Sequence, residues 1–194
     1  MKRLVGFAFL ILVLMTSMVC AQTYSTKNAT VVHDLKAQLA PVTLGGGALY
    51  VPGAGVQLTG SALSGTASFL ATDAPFPVNN VVPSWNVDMP AGTGILIEMR
   101  AVNGASYTAW YEIARQGTTT APKKRVKSDK LGYIDIDTVM LYKTWPRIEY
   151  RVTLYRNSTG ITPNLRLMSV CYADTVTRIN YSEPPAPGVT VSLP

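Results

Sequence analysis

Residues 147–157 read RIEYRVTLYRN, and the alternation inside them decides the fold. Successive side chains of a strand point to opposite faces, so Ile148, Tyr150, Val152 and Leu154 share one side while Glu149, Arg151, Thr153 and Tyr155 share the other. One apolar face and one charged face describe a half-buried antiparallel sheet, because parallel strands are normally covered on both sides. The period recurs upstream in YIDIDTVMLY (133–142) and downstream in NLRLMSVCYADT (164–175). In the latter, Leu165, Leu167 and Cys171 are expected on one face and Met168, Val170 and Tyr172 on the other. Cys171 then reads as a buried, inert thiol, with pairing to another molecule as the alternative.

Working outward, GILIEMRAV (94–102) and SYTAWYEIA (106–114) form two strands around Asn103-Gly104, a hairpin-turn dipeptide. APFPVNNVVPSWNVDMPAG (74–92) holds four prolines, which suits extended chain and turns but no helix interior. The glycine-dense LGGGALYVPGAGVQLTG (44–60) also resists a helix, and short strands are expected near Leu49 to Val51 and Val56 to Leu58. No amphipathic helix of twelve residues is legible after the leader. A sheet with one apolar face must cover it with a second layer, so the reading is an all-β, two-sheet sandwich, jelly-roll-like, after a cleaved signal helix.

That leader is residues 1–21. Lys2 and Arg3 precede the apolar run LVGFAFLILVLM, and Val19-Cys20-Ala21 supplies a signal-peptidase site before Gln22. The expected location is secreted or periplasmic, and a membrane anchor is the minor alternative. Lipidation of Cys20 fits poorly, because Val19 precedes it. The remaining chain divides into a polar leader (22–40), a β-sandwich domain (41–178) and a proline-rich tail or linker (179–194). The formal net charge is +6, from 17 basic and 11 acidic residues; without Lys2 and Arg3 it is +4, a mild bias. Once Cys20 leaves with the leader only Cys171 remains, so no internal disulfide forms and the core alone holds the fold.

Few residues offer chemistry. His33 is the only histidine and is expected at the surface of the leader, without a nucleophile's surroundings. Zinc lacks ligands, and no metal or other cofactor is assigned. Calcium is conceivable through Asp129, Asp135 and Asp137, although no dense aspartate loop accompanies them. Glu98 and Glu112, on opposite arms of the hairpin, are the one pair suited to glycoside hydrolysis, with solvent-facing charges as the default. Lys123, Lys124, Arg125 and Lys127, with Lys130 after them, make the strongest basic cluster, a polyanion contact or a solvated loop. Export makes nucleic acid an unexpected partner. Among the aromatics, Trp85 and Trp110 read as structural. Trp145, before Pro146 at a turn, and Tyr155 are the candidates for an exposed sugar-binding face.

From about Phe69 to Asp174 the chain resembles the non-catalytic β-sandwich region preceding the peptidase domain in secreted bacterial C39-like cysteine-peptidase-family proteins. PSWN (83–86), TAWYEI (108–113) and DIDT (135–138), in that order, carry the resemblance most specifically. In that family a proline-containing linker and a papain-like domain with catalytic cysteine and histidine follow. Neither residue carries over here: Cys171 lies inside the sandwich pattern and His33 precedes it. The resemblance therefore implies an accessory or interaction domain with no catalytic residues, whose partner is a cell-envelope glycan, a polyanion or a protein. It leaves a free-standing relative and the front of a longer peptidase, with a downstream catalytic domain, both open. A carbohydrate-binding module or glycan hydrolase is the further alternative.

Overall fold

The computed structural model describes residues 27–39, 42–119 and 125–175, and twelve strands without a helix lie among them. Residues 1–21, expected to be a signal segment, together with Lys123, Lys124 and the proline-rich tail, fall outside the described residues. The all-β architecture matches the sequence reading.

Two long strands organise it: β5 (Ser64–Asp88) and β11 (Thr138–Arg156). They run antiparallel to each other through two blocks of register, Val81 against Val139 near one end and Ser64 against Tyr155 at the other. Between the blocks both strands bulge. Residues 141–144 of β11 stand against Asn79 alone, and then 74–77 of β5 stand against Pro146 alone. Pro75, Pro77 and Pro146 have no N–H, so their positions give up no donor bond to the ladder, and extra residues in a strand bend it. Here the sheet folds over on itself.

On one side of the bend, β11 and β5 continue into β6 (Thr93–Asn103), β8 (Tyr111–Gly117) and β2 (Val42–Gly45). On the other side they are flanked by β12 (Asn164–Asp174), with β1 (Lys27–Asp34) and β4 (Gly55–Leu58) along its far edge, and by β10 (Gly132–Asp135) and β9 (Ser128–Asp129). The short strands β3 (Ala48–Val51) and β7 (Ser106–Tyr107) close hairpins with β4 and β6. All the pairings are antiparallel. One buried cluster joins the two layers, with Ile95, Ile97, Met99, Val152 and Leu154 from the first and Val56, Leu165, Met168 and Val170 from the second.

Several expectations need correction. Residues 27–34 are no loose leader: β1 pairs residue by residue along β12, from Lys27 opposite Asp174 to Asp34 opposite Leu167. Its polar look arises because only alternate residues, Ala29, Val31 and His33, turn towards the core. His33 is therefore buried, packed against Phe69 and hydrogen-bonded to the Tyr150 hydroxyl. In β12 the register slips by one residue at Arg166, so Leu165 joins Met168, Val170 and Tyr172 in the core. Cys171 falls on the opposite face and is exposed, not buried. A single bulge changes which half of a strand is inside, and the alternation rule cannot see it.

Turn chemistry agrees with the sequence at the β6–β7 hairpin, where Asn103 pairs with Ser106 and Gly104 takes φ +57°. It departs from it at the β10–β11 turn, where Ile136, 84 % exposed, has φ +52°. A β-branched side chain at positive φ is strained. The buried Arg156 closes the far end of β11 by donating to the carbonyls of Thr59, Gly60, Ala62, Thr159 and Ile161.

Candidate functional site

Among the described residues, two polar surfaces lie on or beside β6. The first is the outer face of the layer formed by β8, β6 and β11. Cross-strand register puts Glu98 opposite Arg151 and Arg100 opposite Glu149, and both pairs are salt-bridged, Arg151 Nε lying 2.7 Å from Glu98 Oε2. On the other side Glu98 stands opposite Glu112, a like-charge pair that is unfavourable by itself. A bulge resolves it. Ile113 is an extra residue in β8, so Ile113 and Ala114 both face the core and Arg115 returns to the side of Glu112. Arg115 then bridges Glu112 at 2.7 Å, and Arg125 from the following segment binds its other oxygen at 2.7 Å. Three guanidinium groups thus enclose two buried carboxylates. Two arginines, Arg100 and Arg151, approach the Trp110 ring, their guanidinium carbons 4.6 Å and 4.2 Å from its centroid.

Glu98 and Glu112 do come together, as glycoside hydrolysis requires, but each is about 3 % exposed and engaged by arginine. They were expected at the solvent; the ion-pair lattice explains their burial. Tyr155 borders this lattice, half-buried, and its phenol is pushed above its ordinary value first by burial and then by the charge of Glu98.

The second surface is a pocket of about 390 Å³ where the bulged part of β11 meets the β6–β7 hairpin. Leu131 and Trp145 give it apolar wall, Tyr107 an aromatic edge, Lys130 and Lys143 its charge, and Ala105 with Ser106 a rim. Tyr107 is 61 % exposed and backed by Arg100, 5.2 Å from its centroid. Lys143 Nζ lies 5.0 Å from the Trp145 centroid. Trp145 itself is only 1 % exposed, contrary to the expectation of a surface ring. It pairs with Val78 at the bend, where the bulge turns it towards the core. Trp145 and Tyr155 therefore do not form one platform, since one faces inward at the bend and the other outward near the end of β11.

A third cluster is structural. Asp129 accepts from the N–H groups of Ala109, Leu131 and Gly132 and from the Tyr111 hydroxyl, at 2.6–3.2 Å. Burial opposes ionisation of this carboxyl, yet the four donors outweigh burial and hold it below its ordinary value. Its oxygens are occupied by these bonds, while Asp135 and Asp137 are exposed. Among the described residues no group of three histidine, cysteine or acidic side chains converges to hold a metal ion.

A family model described as Peptidase C39 N-terminal domain matches residues 60–173, more than half of the chain. The chain belongs to that family. No curated protein and no solved structure matches it.

In this C39 N-terminal domain the matched segment begins between β4 and β5, so β1 to β4 precede it and nevertheless complete both layers. Of the basic cluster read from sequence, Arg125 is engaged by Glu112, Lys127 is half-buried, and Lys130 reaches the pocket. Trp85 is half-buried with its Nε1 donating to Gln116 at 3.1 Å, and Trp110 is half-buried beside Arg100 and Arg151. Tyr107 and Lys143 were not singled out in the sequence. The signals for them were a tyrosine just past a hairpin-turn glycine and a lysine beside the Trp145-Pro146 bend.

Proposed function

We propose that this C39 N-terminal domain is an exported accessory domain with no peptidase chemistry of its own, serving a papain-like peptidase domain in the same polypeptide or another. The observation that supports it is the placement of the two residues a cysteine peptidase needs. His33 enters the core from β1, while Cys171 leaves the outer face of the adjacent β12. A thiol and its base must lie within hydrogen-bond reach, and a sheet stands between these two. The glycosidase alternative loses support for a parallel reason: the carboxylates that meet are buried and engaged by arginines. The surfaces left for interaction are the loops and the basic pocket at the bend.

Export is tested by expressing the full sequence in a secreting bacterial host and measuring the intact mass of protein in the medium. The reading expects a chain beginning at Gln22. Uncleaved protein retained in the cytoplasm overturns export, and labelling of Cys171 by a peptidyl vinyl sulfone that requires His33 overturns the absence of chemistry.

A further inference from the structure

We infer that the pocket between the β6–β7 hairpin and the bulge of β11 binds an acidic saccharide, a sugar ring bearing a carboxylate or a phosphate. Arg100, Arg115, Arg125, Arg151 and Arg166 are each engaged by a carboxylate. Lys130 and Lys143, both exposed, have no carboxylate partner among the described residues, and both line this one pocket. Two uncompensated ammonium groups facing a common volume attract an anion and hold it by charge-assisted hydrogen bonds.

The rest of the lining is not that of a bare anion site. Tyr107 offers an exposed ring with the Arg100 guanidinium 5.2 Å from its centroid, and Leu131 adds apolar wall beside the buried Trp145. A pyranose has an apolar face of C–H groups that packs on such a ring and a polar edge of hydroxyls that meets lysine donors and the Ser106 rim. A volume of about 390 Å³ lies at the low end of small-ligand pockets and suits a short saccharide. A neutral glycan has no use for the two charges, and a flexible polyanion has none for the fixed aromatic edge.

The bulge supplies the geometry. Residues 141–144 stand against one residue of β5, which sets the exposed Lys143 on the cavity while Trp145 beside it stays buried. Bulges commonly re-aim side chains beside functional sites. This inference deepens the accessory-domain reading by naming what the domain holds, and rests on it only for the setting, an acidic envelope polymer.

The test is isothermal titration of the full chain at low salt with four probes: trigalacturonic acid, pentamannosyl phosphate, neutral mannopentaose and a glutamate pentamer. At least one acidic saccharide is expected to bind, tenfold or more tighter than both the neutral sugar and the acidic peptide, and the one preferred identifies carboxylate or phosphate as the recognised group. Tyr107→Ala and the double variant Lys130→Ala/Lys143→Ala are each expected to weaken that binding tenfold or more. All three residues are exposed, so an unchanged melting temperature will show that the fold is intact. No binding of either acidic saccharide, equal binding of the peptide or the neutral sugar, or a smaller effect of either variant overturns the inference. None of these failures touches the mass or labelling results that test the accessory reading.

Discussion

His33 and Cys171 stand on neighbouring strands and face opposite ways. Register sets Cys171 against Thr30 and His33 against Met168, so three positions of β1 separate them along the strand and the sheet itself lies between their side chains. The imidazole is buried with Phe69 and Tyr150, and the thiol meets solvent. A histidine at that depth serves the core, and the first consequence is a dependence of stability on pH.

Burial lowers the pKa of His33 from its ordinary 6.5. The unfolded chain therefore binds a proton more readily than the native one. Stability is full above pH 6.5 and falls as the pH drops below that value towards the native pKa. Urea unfolding at pH 7.5 and pH 5.5 is expected to show the loss, and His33→Gln is expected to flatten the slope in that interval. An equal slope in the variant contradicts the assignment.

The buried Arg156 gathers five carbonyls from two loops, so its removal empties its site and leaves those part-buried acceptors without their donor. Arg156→Ala is expected to cost about 3 kcal/mol. Arg156→Lys should recover only part, because a three-donor ammonium cannot span the same arc. Chemical denaturation of the three proteins measures both.

The Glu98–Arg151 bridge tests the arginine–glutamate lattice. Arg151→Ala leaves a buried carboxylate opposite Glu112 and removes one of the cations against Trp110, and is expected to destabilise by about 3 kcal/mol. Replacing Glu98 with Gln in the same background should return part of that loss, since the stranded charge is then gone. A double-mutant cycle with no coupling contradicts the lattice.

Strain at Ile136 predicts the opposite sign. Glycine at the first central position of this two-residue turn relieves the positive φ, and Ile136→Gly is expected to be stabilising by about 1 kcal/mol. Thermal melts of the two proteins decide it.

Alternation in RIEYRVTLYRN was sufficient for the all-β class, because its period of two continues unbroken through that part of β11. The strand positions around Leu49 and Val56 and the Gly104 turn were legible for equally local reasons. What escaped the sequence lies at irregularities. The slip at Arg166 exposed Cys171, the extra residue Ile113 brought Arg115 to Glu112, and the double bulge at the bend turned Trp145 inward. His33 escaped because a short edge strand with alternate polar residues resembles a loop. The pocket escaped because Tyr107, Lys130 and Lys143 come from three separate segments that only the bend brings together.

The most direct test of the central claim is hydrolysis of unstructured peptide substrates, measured for the purified wild-type chain beside Cys171→Ser and His33→Gln. The account predicts no cleavage above background by any of the three. Turnover by the wild type that is lost in both variants would contradict it, because that result requires a thiol and an imidazole working together across the sheet.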